Sequence, residues 1–139
     1  SVKHAVALDF WRKDLPSINV FIQVNVSGEP QKRGVTPAEA LSLAEFILRN
    51  CWSLKFRGFM AIGSASQSSS ATPNPEFGAM ANLRLEAFSV LGPLLKAREI
   101  QSLLLSMGMS QDYEEALFAG TDVVRIGSGI FGDRPSVNS

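Results

Sequence analysis

The chain has 139 residues, enough for one ordinary domain but too few for a complete (β/α)8 barrel, which needs roughly 250. Thirteen basic residues balance thirteen acidic ones, which argues against a general attraction to nucleic acid or to a membrane surface. One cysteine (Cys51) excludes an internal disulfide, one histidine (His4) excludes a histidine-rich metal site, and no stretch approaches the ~20 apolar residues of a membrane span.

The first part of the chain predicts a helix, a strand and a second helix. Val2–Lys13 carries apolar side chains at helical intervals. Ile18–Val26 places an apolar side chain at every second position, which is typical of a strand. Thr36 then supplies a helix cap, a proline follows at the first helical position, and Glu39 lies three residues after the cap. This pattern predicts a helix that runs to about Asn50.

The second part of the chain predicts three more strands, each followed by a helical segment. The predicted segments are a strand over Leu54–Ile62, a serine-rich flexible loop over Ser64–Pro75, a helix from Pro75 to about Leu91, a strand over Ser102–Met107, a helix over Gln111–Ala119, a strand over Thr121–Ile126 and a helical turn over Gly129–Phe131. Gly92-Pro93 is expected to interrupt the long helix. Ser110 is expected to cap the short helix and Gly120 to end it.

Strands that alternate with helices predict a parallel sheet with right-handed crossovers. Half of a (β/α)8 barrel and a small open α/β sheet both satisfy this order of elements. In either fold, ligands bind at the carboxyl ends of the strands. The loops that follow the predicted strands therefore hold the candidate site.

Two glycine-containing loops near the end of the chain are predicted to bind phosphate. Ser106–Ser110 and Arg125–Gly129 each lie between a predicted strand and a predicted helix. Backbone N–H groups of two such loops can converge on one anion, and the helix dipole favours negative charge at that point. Arg125, two residues before Gly127, adds a fixed cation.

The same loops carry a resemblance to a known family. The stretches Ser106-Met-Gly-Met-Ser-x-Asp112, Val124-Arg-Ile-Gly127 and Ile130-Phe-Gly-x-Arg134 resemble motifs of the pyridoxal 5′-phosphate (PLP) homeostasis proteins, which are single-domain relatives of the alanine racemase barrel. Gln23–Glu29 with Lys32 and Gly34 is similar to the loop after that family's fifth strand, and Arg57–Ile62 is similar to its sixth strand. The resemblance extends from about Val20 to Arg134.

The resemblance implies that residues 1–139 are a single partial domain, the C-terminal half of a PLP-binding (β/α)8 barrel with about four βα units. The family's opening strands, with the lysine that forms the Schiff base to PLP, have no counterpart in this chain. The expected partners are PLP and either the complementary N-terminal half or another copy of the chain. A lone cysteine fits a cytoplasmic location, and a mitochondrial one stays open.

A set of cofactor-binding residues follows from the loops and the resemblance: Met60, Met109, Ser110, Arg125, Gly127 and Ser128. Ser110 is expected to donate its hydroxyl to the phosphate, together with the backbone N–H groups of Met109 and Ser110. Gly127 and Ser128 are expected to make the second phosphate contact. By the resemblance, Arg125 contacts the pyridine nitrogen of PLP. The alternatives are a plain helix cap for Ser110, an ordinary turn for Gly127 and Ser128, and an ion pair with a barrel carboxylate for Arg125.

Several other side chains have two interpretations each. Met60, Met107 and Met109 either line the cofactor or fill the core. Lys32 is either solvated or in contact with the phosphate. The acidic residues at the start of the short helix must point away from the phosphate, because like charges repel; they are Asp112, Glu114 and Glu115.

The resemblance implies cofactor carriage or buffering in PLP homeostasis, without turnover of a substrate, so no catalytic residue and no metal ligand is predicted. The leading alternative is a PLP-dependent racemase-like enzyme, which needs a lysine and a second acid–base group. No lysine of this chain lies at the carboxyl end of a predicted strand. A generic phosphate-binding barrel fragment, and a half-domain that serves only in assembly, are the remaining hypotheses.

Overall fold

The computed structural model describes residues 1–29, 33–62 and 74–132, in which helices and strands alternate in the predicted order. The elements are α1 (Val2–Arg12), β1 (Ile18–Val24), α2 (Pro37–Asn50), β2 (Leu54–Ala61), α3 (Pro75–Ala97), β3 (Leu104–Met109), α4 (Tyr113–Phe118), β4 (Val123–Arg125) and α5 (Ser128–Phe131). The loop predicted over Ser64–Pro75 lies almost entirely outside the described residues. Among the helices described, none has the length and apolar character needed to span a bilayer.

The strands form one parallel sheet in the order β1-β2-β3-β4. Each strand therefore lies beside the strand that follows it in the chain. Helices α1, α2 and α3 pack side by side, and α2 and α3 contact the strands that they connect. A doubly wound open sheet reverses its strand order at a switch point, and this sheet does not. The order supports the predicted fold class, part of a parallel (β/α) barrel, over the open sheet.

The hydrophobic core lies between the helices and one face of the sheet. The strand residues on this face are almost fully buried: Ile22, Val24, Phe56, Phe59, Leu105 and Met107. They belong to the same cluster as apolar residues of the helices, among them Ala44, Ile47, Met80 and Leu83. Cys51 is buried in this cluster, as expected of a small apolar side chain. Because strand side chains alternate between faces, the opposite face, which we call the open face, carries Phe21, Met60, Ser106 and Arg125.

The predicted start of α2 is confirmed in detail. Thr36 is the N-cap, and its hydroxyl accepts a hydrogen bond from the Glu39 backbone N–H at 3.3 Å. The Glu39 carboxylate in turn accepts from the Thr36 backbone N–H at 2.8 Å. This reciprocal pair satisfies two backbone donors that the first turn of a helix leaves without partners.

The predicted interruption at Gly92-Pro93 is wrong, because α3 continues through it to Ala97. Pro93 cannot donate to the carbonyl of Ser89, and a proline inside a helix normally costs ~3 kcal/mol. Pro93 and Ser89 are both exposed, so water can satisfy that carbonyl. Leu91 and Leu95, on either side of the proline, are buried in the core. Burial of these leucines offsets the cost of the proline.

Candidate functional site

The two predicted phosphate loops meet in space. The Ser110 hydroxyl oxygen accepts hydrogen bonds from the backbone N–H groups of Gly127 and Gly129, each at an N···O distance of 3.1 Å. Two amides from the second loop thus point at one oxygen atom at the end of β3. A phosphate oxygen is an acceptor of the same kind and can take the same donors.

The position of Ser110 differs from the predicted helix cap. β3 runs to Met109, so most of the predicted loop is strand, and α4 begins only at Tyr113 with Asp112 as its N-cap residue. The buried Asp112 carboxylate accepts a hydrogen bond from the Met109 backbone N–H at 2.7 Å. Asp112 therefore closes the turn that contains Ser110. The helix-cap alternative for Ser110 is wrong, and its hydroxyl is directed to the second loop instead.

Gly108 has a different role from the one its motif suggested. It is buried inside β3 with φ +92°, in the region that favours glycine. A Cβ atom at this position would lie 2.6 Å from the Cβ of Ala116 in α4. Gly108 thus allows α4 to pack closely on β3.

Arg125 spans three strands of the sheet. Its Nη1 donates to the Ser106 hydroxyl at 2.7 Å and to the Ser106 carbonyl at 3.1 Å. Its Nη2 donates to the Ala61 carbonyl at 2.7 Å. Burial lowers the pKa of Arg125, and the negative charge of Asp112 opposes that shift. An arginine keeps its proton in proteins even so, which makes Arg125 a permanent donor on this face.

The alternative role for Arg125, an ion pair with a carboxylate, is not what its hydrogen bonds show. Its acceptors in the described part of the chain are a hydroxyl and two carbonyls, and Asp112 acts on it through its charge. A guanidinium has five N–H donors. Neutral acceptors from the protein leave its positive charge available to a ligand on the same face.

The acidic residues of α4 make contacts of their own. Glu115 accepts a hydrogen bond from the Asn74 backbone N–H at 2.8 Å, which directs its carboxylate toward the start of α3. The Tyr113 hydroxyl donates to the exposed Glu114 at 3.2 Å. Asp112 alone of the three remains next to Ser110, where its carboxylate is held by the backbone.

The methionines divide between the two interpretations. Met107 is fully buried on the helix side of β3, so it belongs to the core. Met60 pairs with Ser106 across the sheet and is half-buried on the face of Arg125. Met109 is half-buried at the end of β3, and Ser128 is exposed at the start of α5. Lys32 and Arg134 lie outside the described residues.

A comparison of the whole chain with known protein families identifies the family to which the chain belongs. The model of the family described as alanine racemase, N-terminal domain, matches residues 2–135. The chain belongs to the alanine racemase N-terminal domain family.

Similar members of this family are named for PLP homeostasis. The pyridoxal phosphate homeostasis protein of Mus musculus is 41% identical over 126 residues, which are 89% of this chain and 44% of that protein. The protein of the same name from Schizosaccharomyces pombe is 44% identical over 119 residues, covering 86% of this chain and 46% of the relative. The predicted resemblance is confirmed, and the chain spans about half the length of the curated relatives it matches.

Solved structures agree on the fold. PipY of Synechococcus elongatus without PLP superposes with a TM-score of 0.75 at 25% identity, over 95% of this chain and 58% of that one. PipY with PLP bound gives a TM-score of 0.69 at 26% identity, over 95% and 57%. Alanine racemase of Clostridium difficile, 13% identical with a TM-score of 0.62, shares the fold.

The roles of two residues beside the site were not predicted from the sequence. Ser106 is the main acceptor for Arg125, and it occupies a strand position between the buried Leu105 and Met107 that faces the other side of the sheet. Thr121 connects β3 to β4, because its hydroxyl accepts from the Met107 N–H at 3.2 Å. A polar residue at an alternating position of an apolar strand was the only local signal for Ser106.

Proposed function

We propose that this member of the alanine racemase N-terminal domain family is part of a PLP-binding protein that carries or buffers PLP and does not turn over a substrate. The observation that carries the proposal is the position of Arg125 on the open face of the sheet. At the carboxyl end of the same sheet, the amides of Gly127 and Gly129 converge on the Ser110 hydroxyl. A cation and an oxyanion site on one sheet fit the pyridine nitrogen and the phosphate of PLP.

The residues present fit PLP chemically. The amides of Gly127 and Gly129 would bind phosphate oxygens, with the Ser110 hydroxyl as a further donor. Arg125 would donate to the ring nitrogen, which must then be an unprotonated acceptor. Met60, on the same face, would contact the ring.

The choice of arginine supports carriage over catalysis. When bound to an enzyme, PLP supplies an electron sink, and a protonated ring nitrogen strengthens it. Arg125 keeps its own proton and thereby keeps the ring nitrogen unprotonated, which weakens that sink. By the resemblance, the lysine of the Schiff base belongs to the family's opening strands, so the lysines of this chain do not separate carriage from catalysis. The lysines in the described ranges lie in or beside α1, at the start of β2 and near the end of α3, away from the carboxyl ends of the strands: Lys3, Lys13, Lys55 and Lys96.

Replacement of Arg125 by alanine tests this function. A hydrogen bond to a charged group is worth about 1.5–3 kcal/mol, so Arg125→Ala in the full-length parent protein should weaken PLP binding roughly ten- to a hundredfold. Ser89→Ala, at an exposed position of α3, is the matched control and should leave the affinity unchanged. Titration followed by the absorbance of PLP measures both constants, and a sugar phosphate serves as a competitor for the generic phosphate-site alternative. Equal affinities of wild type and Arg125→Ala would remove Arg125 from the site.

We further propose that the sheet is completed either by the complementary N-terminal half of the barrel or by another copy of the chain. The outer helix α1 exposes Phe10 and Trp11, with 77% of Trp11 accessible. Phe21 of β1, an edge strand, is partly exposed on the open face. An edge strand offers unpaired backbone groups, and apolar patches of this kind favour association.

Sedimentation velocity of residues 1–139 tests the second proposal. The chain alone should self-associate or aggregate, and addition of the N-terminal half of a relative should convert it to a discrete complex. Alone it should also leave the absorption spectrum of the PLP aldehyde unchanged. A monodisperse monomer at micromolar concentration would contradict the requirement for a partner.

A further inference from the structure

Ser106 is a buried polar residue in a strand that is otherwise apolar. Only 6% of its surface is exposed, and its neighbours Leu105 and Met107 face the core on the other side of the sheet. Its hydroxyl lies 2.7 Å from Nη1 of Arg125, and its carbonyl lies 3.1 Å from the same atom. A buried hydroxyl needs a hydrogen-bond partner, and here that partner is a cation.

The register of the sheet explains why Ser106 meets Arg125. Ser106 is the strand partner of Met60 in β2 and of Val123 in β4, so it lies at the centre of the open face. Arg125 crosses from β4 over Ser106 to the carbonyl of Ala61. The guanidinium is thereby held by acceptors on two neighbouring strands.

The donors of Arg125 divide into two groups. Of the five N–H bonds of a guanidinium, three have acceptors in Ser106 and Ala61. Within residues 1–29, 33–62 and 74–132, the structure gives no acceptor for the others. The guanidinium is planar and rigid, so fixing three of its donors also fixes the direction of the remaining two.

We propose that Ser106 is a positioning residue, which orients Arg125 toward the ring nitrogen of a phosphorylated pyridine. This inference rests on the proposed function and adds the residue on which that function depends. The long arginine side chain otherwise samples several rotamers, and binding would have to order it. The Ser106 hydroxyl orders it before the ligand arrives.

Pyridoxine 5′-phosphate is the suitable probe, because it keeps the ring nitrogen and the phosphate but has no aldehyde. The variants are made in the full-length parent protein, because the chain alone is expected to associate. Ser106→Ala should weaken its binding about tenfold, since binding must then order the Arg125 side chain. Ser106→Thr keeps the hydroxyl and should restore the affinity to within about threefold of wild type. Ser102→Ala, at an exposed position before β3, is the control and should bind as wild type does.

Two further measurements separate positioning from a purely structural role. In the ligand-free protein, the ¹⁵N relaxation of the Arg125 side chain should show faster motion in Ser106→Ala and normal motion in Ser106→Thr. In the complex, the pH at which the bound ring nitrogen takes up a proton should rise in Ser106→Ala, because Arg125 no longer opposes protonation. The ultraviolet spectrum of the bound ligand reports that pH.

The outcomes distinguish this inference from the proposed function. Unchanged Arg125 dynamics together with unchanged affinity in Ser106→Ala would overturn the role of Ser106. If Arg125 becomes mobile in Ser106→Ala but no variant, including wild type, binds the probe, then Ser106 does position Arg125 and the proposed function is overturned. Loss of affinity in both Ser106→Ala and Ser106→Thr would also count against the hydroxyl as the active feature.

Discussion

Replacement of Gly108 by alanine tests how α4 and the turn at Ser110 are held in place. The new Cβ would lie 2.6 Å from the Cβ of Ala116 and 3.2 Å from the Cα of Tyr113. Neither atom can move alone, because one is the short side chain of a buried helix residue and the other is backbone. α4 must therefore shift away from β3, or β3 must bend.

Two costs add in this variant. A non-glycine residue in the left-handed region costs about 1–2 kcal/mol, and overpacking of a close contact typically costs about 1–3 kcal/mol. The φ of +92° and the contact at 2.6 Å bring both costs into play at Gly108. Gly108→Ala should therefore lower the free energy of unfolding by roughly 2–5 kcal/mol.

Gly78→Ala is the matched control, because Gly78 lies at an exposed position inside α3 and a Cβ there meets nothing within 4 Å. Alanine is a better helix former than glycine by about 1 kcal/mol, so this variant should be more stable than wild type. Thermal unfolding followed by circular dichroism, at one fixed protein concentration, compares the two variants. A Gly108→Ala protein as stable as wild type would refute the close packing of α4 on β3.

Two other predictions follow from side chains beside the site. Thr121→Val keeps the shape of the side chain but leaves the Met107 N–H without its acceptor, so urea unfolding should show a loss of about 1–3 kcal/mol, while Thr121→Ser should retain most of the stability. Burial, with a smaller contribution from Asp9, raises the pKa of the Cys51 thiol, and Arg98 lowers it slightly. A raised folded-state pKa stabilises the fold below the unfolded pKa, about 8.5, and this contribution is lost as pH rises toward the folded value. The free energy of unfolding should thus fall at alkaline pH, and Cys51→Ala should reduce this dependence on pH. An unchanged pH dependence in Cys51→Ala, or fast reaction of Cys51 with a thiol reagent in the native protein, would contradict the burial of Cys51.

Local signals in the sequence were sufficient to predict most of the helices and strands. The cap at Thr36 and the end of α4 before Gly120, which has φ +86°, were both predicted, because the groups involved lie within a few residues of each other. The motifs around Ser110 and Gly127 were sufficient to identify the family, and the match over residues 2–135 confirms that identification. The six predicted cofactor residues remain predictions.

The tertiary structure decided what depends on distant residues. The continuation of α3 through Pro93 depends on burial of Leu91 and Leu95 in a core built by other elements. The packing role of Gly108 depends on Ala116, which only the fold of α4 brings into contact.

In the candidate site too, some features were predicted from the sequence and others were decided by the tertiary structure. The sequence by itself identified Arg125 as a cation of the site, and Ser110 and Gly127 as two halves of one anion site. The hydrogen-bond acceptors of Arg125, Ser106 and Ala61, lie 19 and 64 residues away from it along the chain. Such contacts arise from the register of parallel strands, which depends on packing between strands that are distant in the sequence.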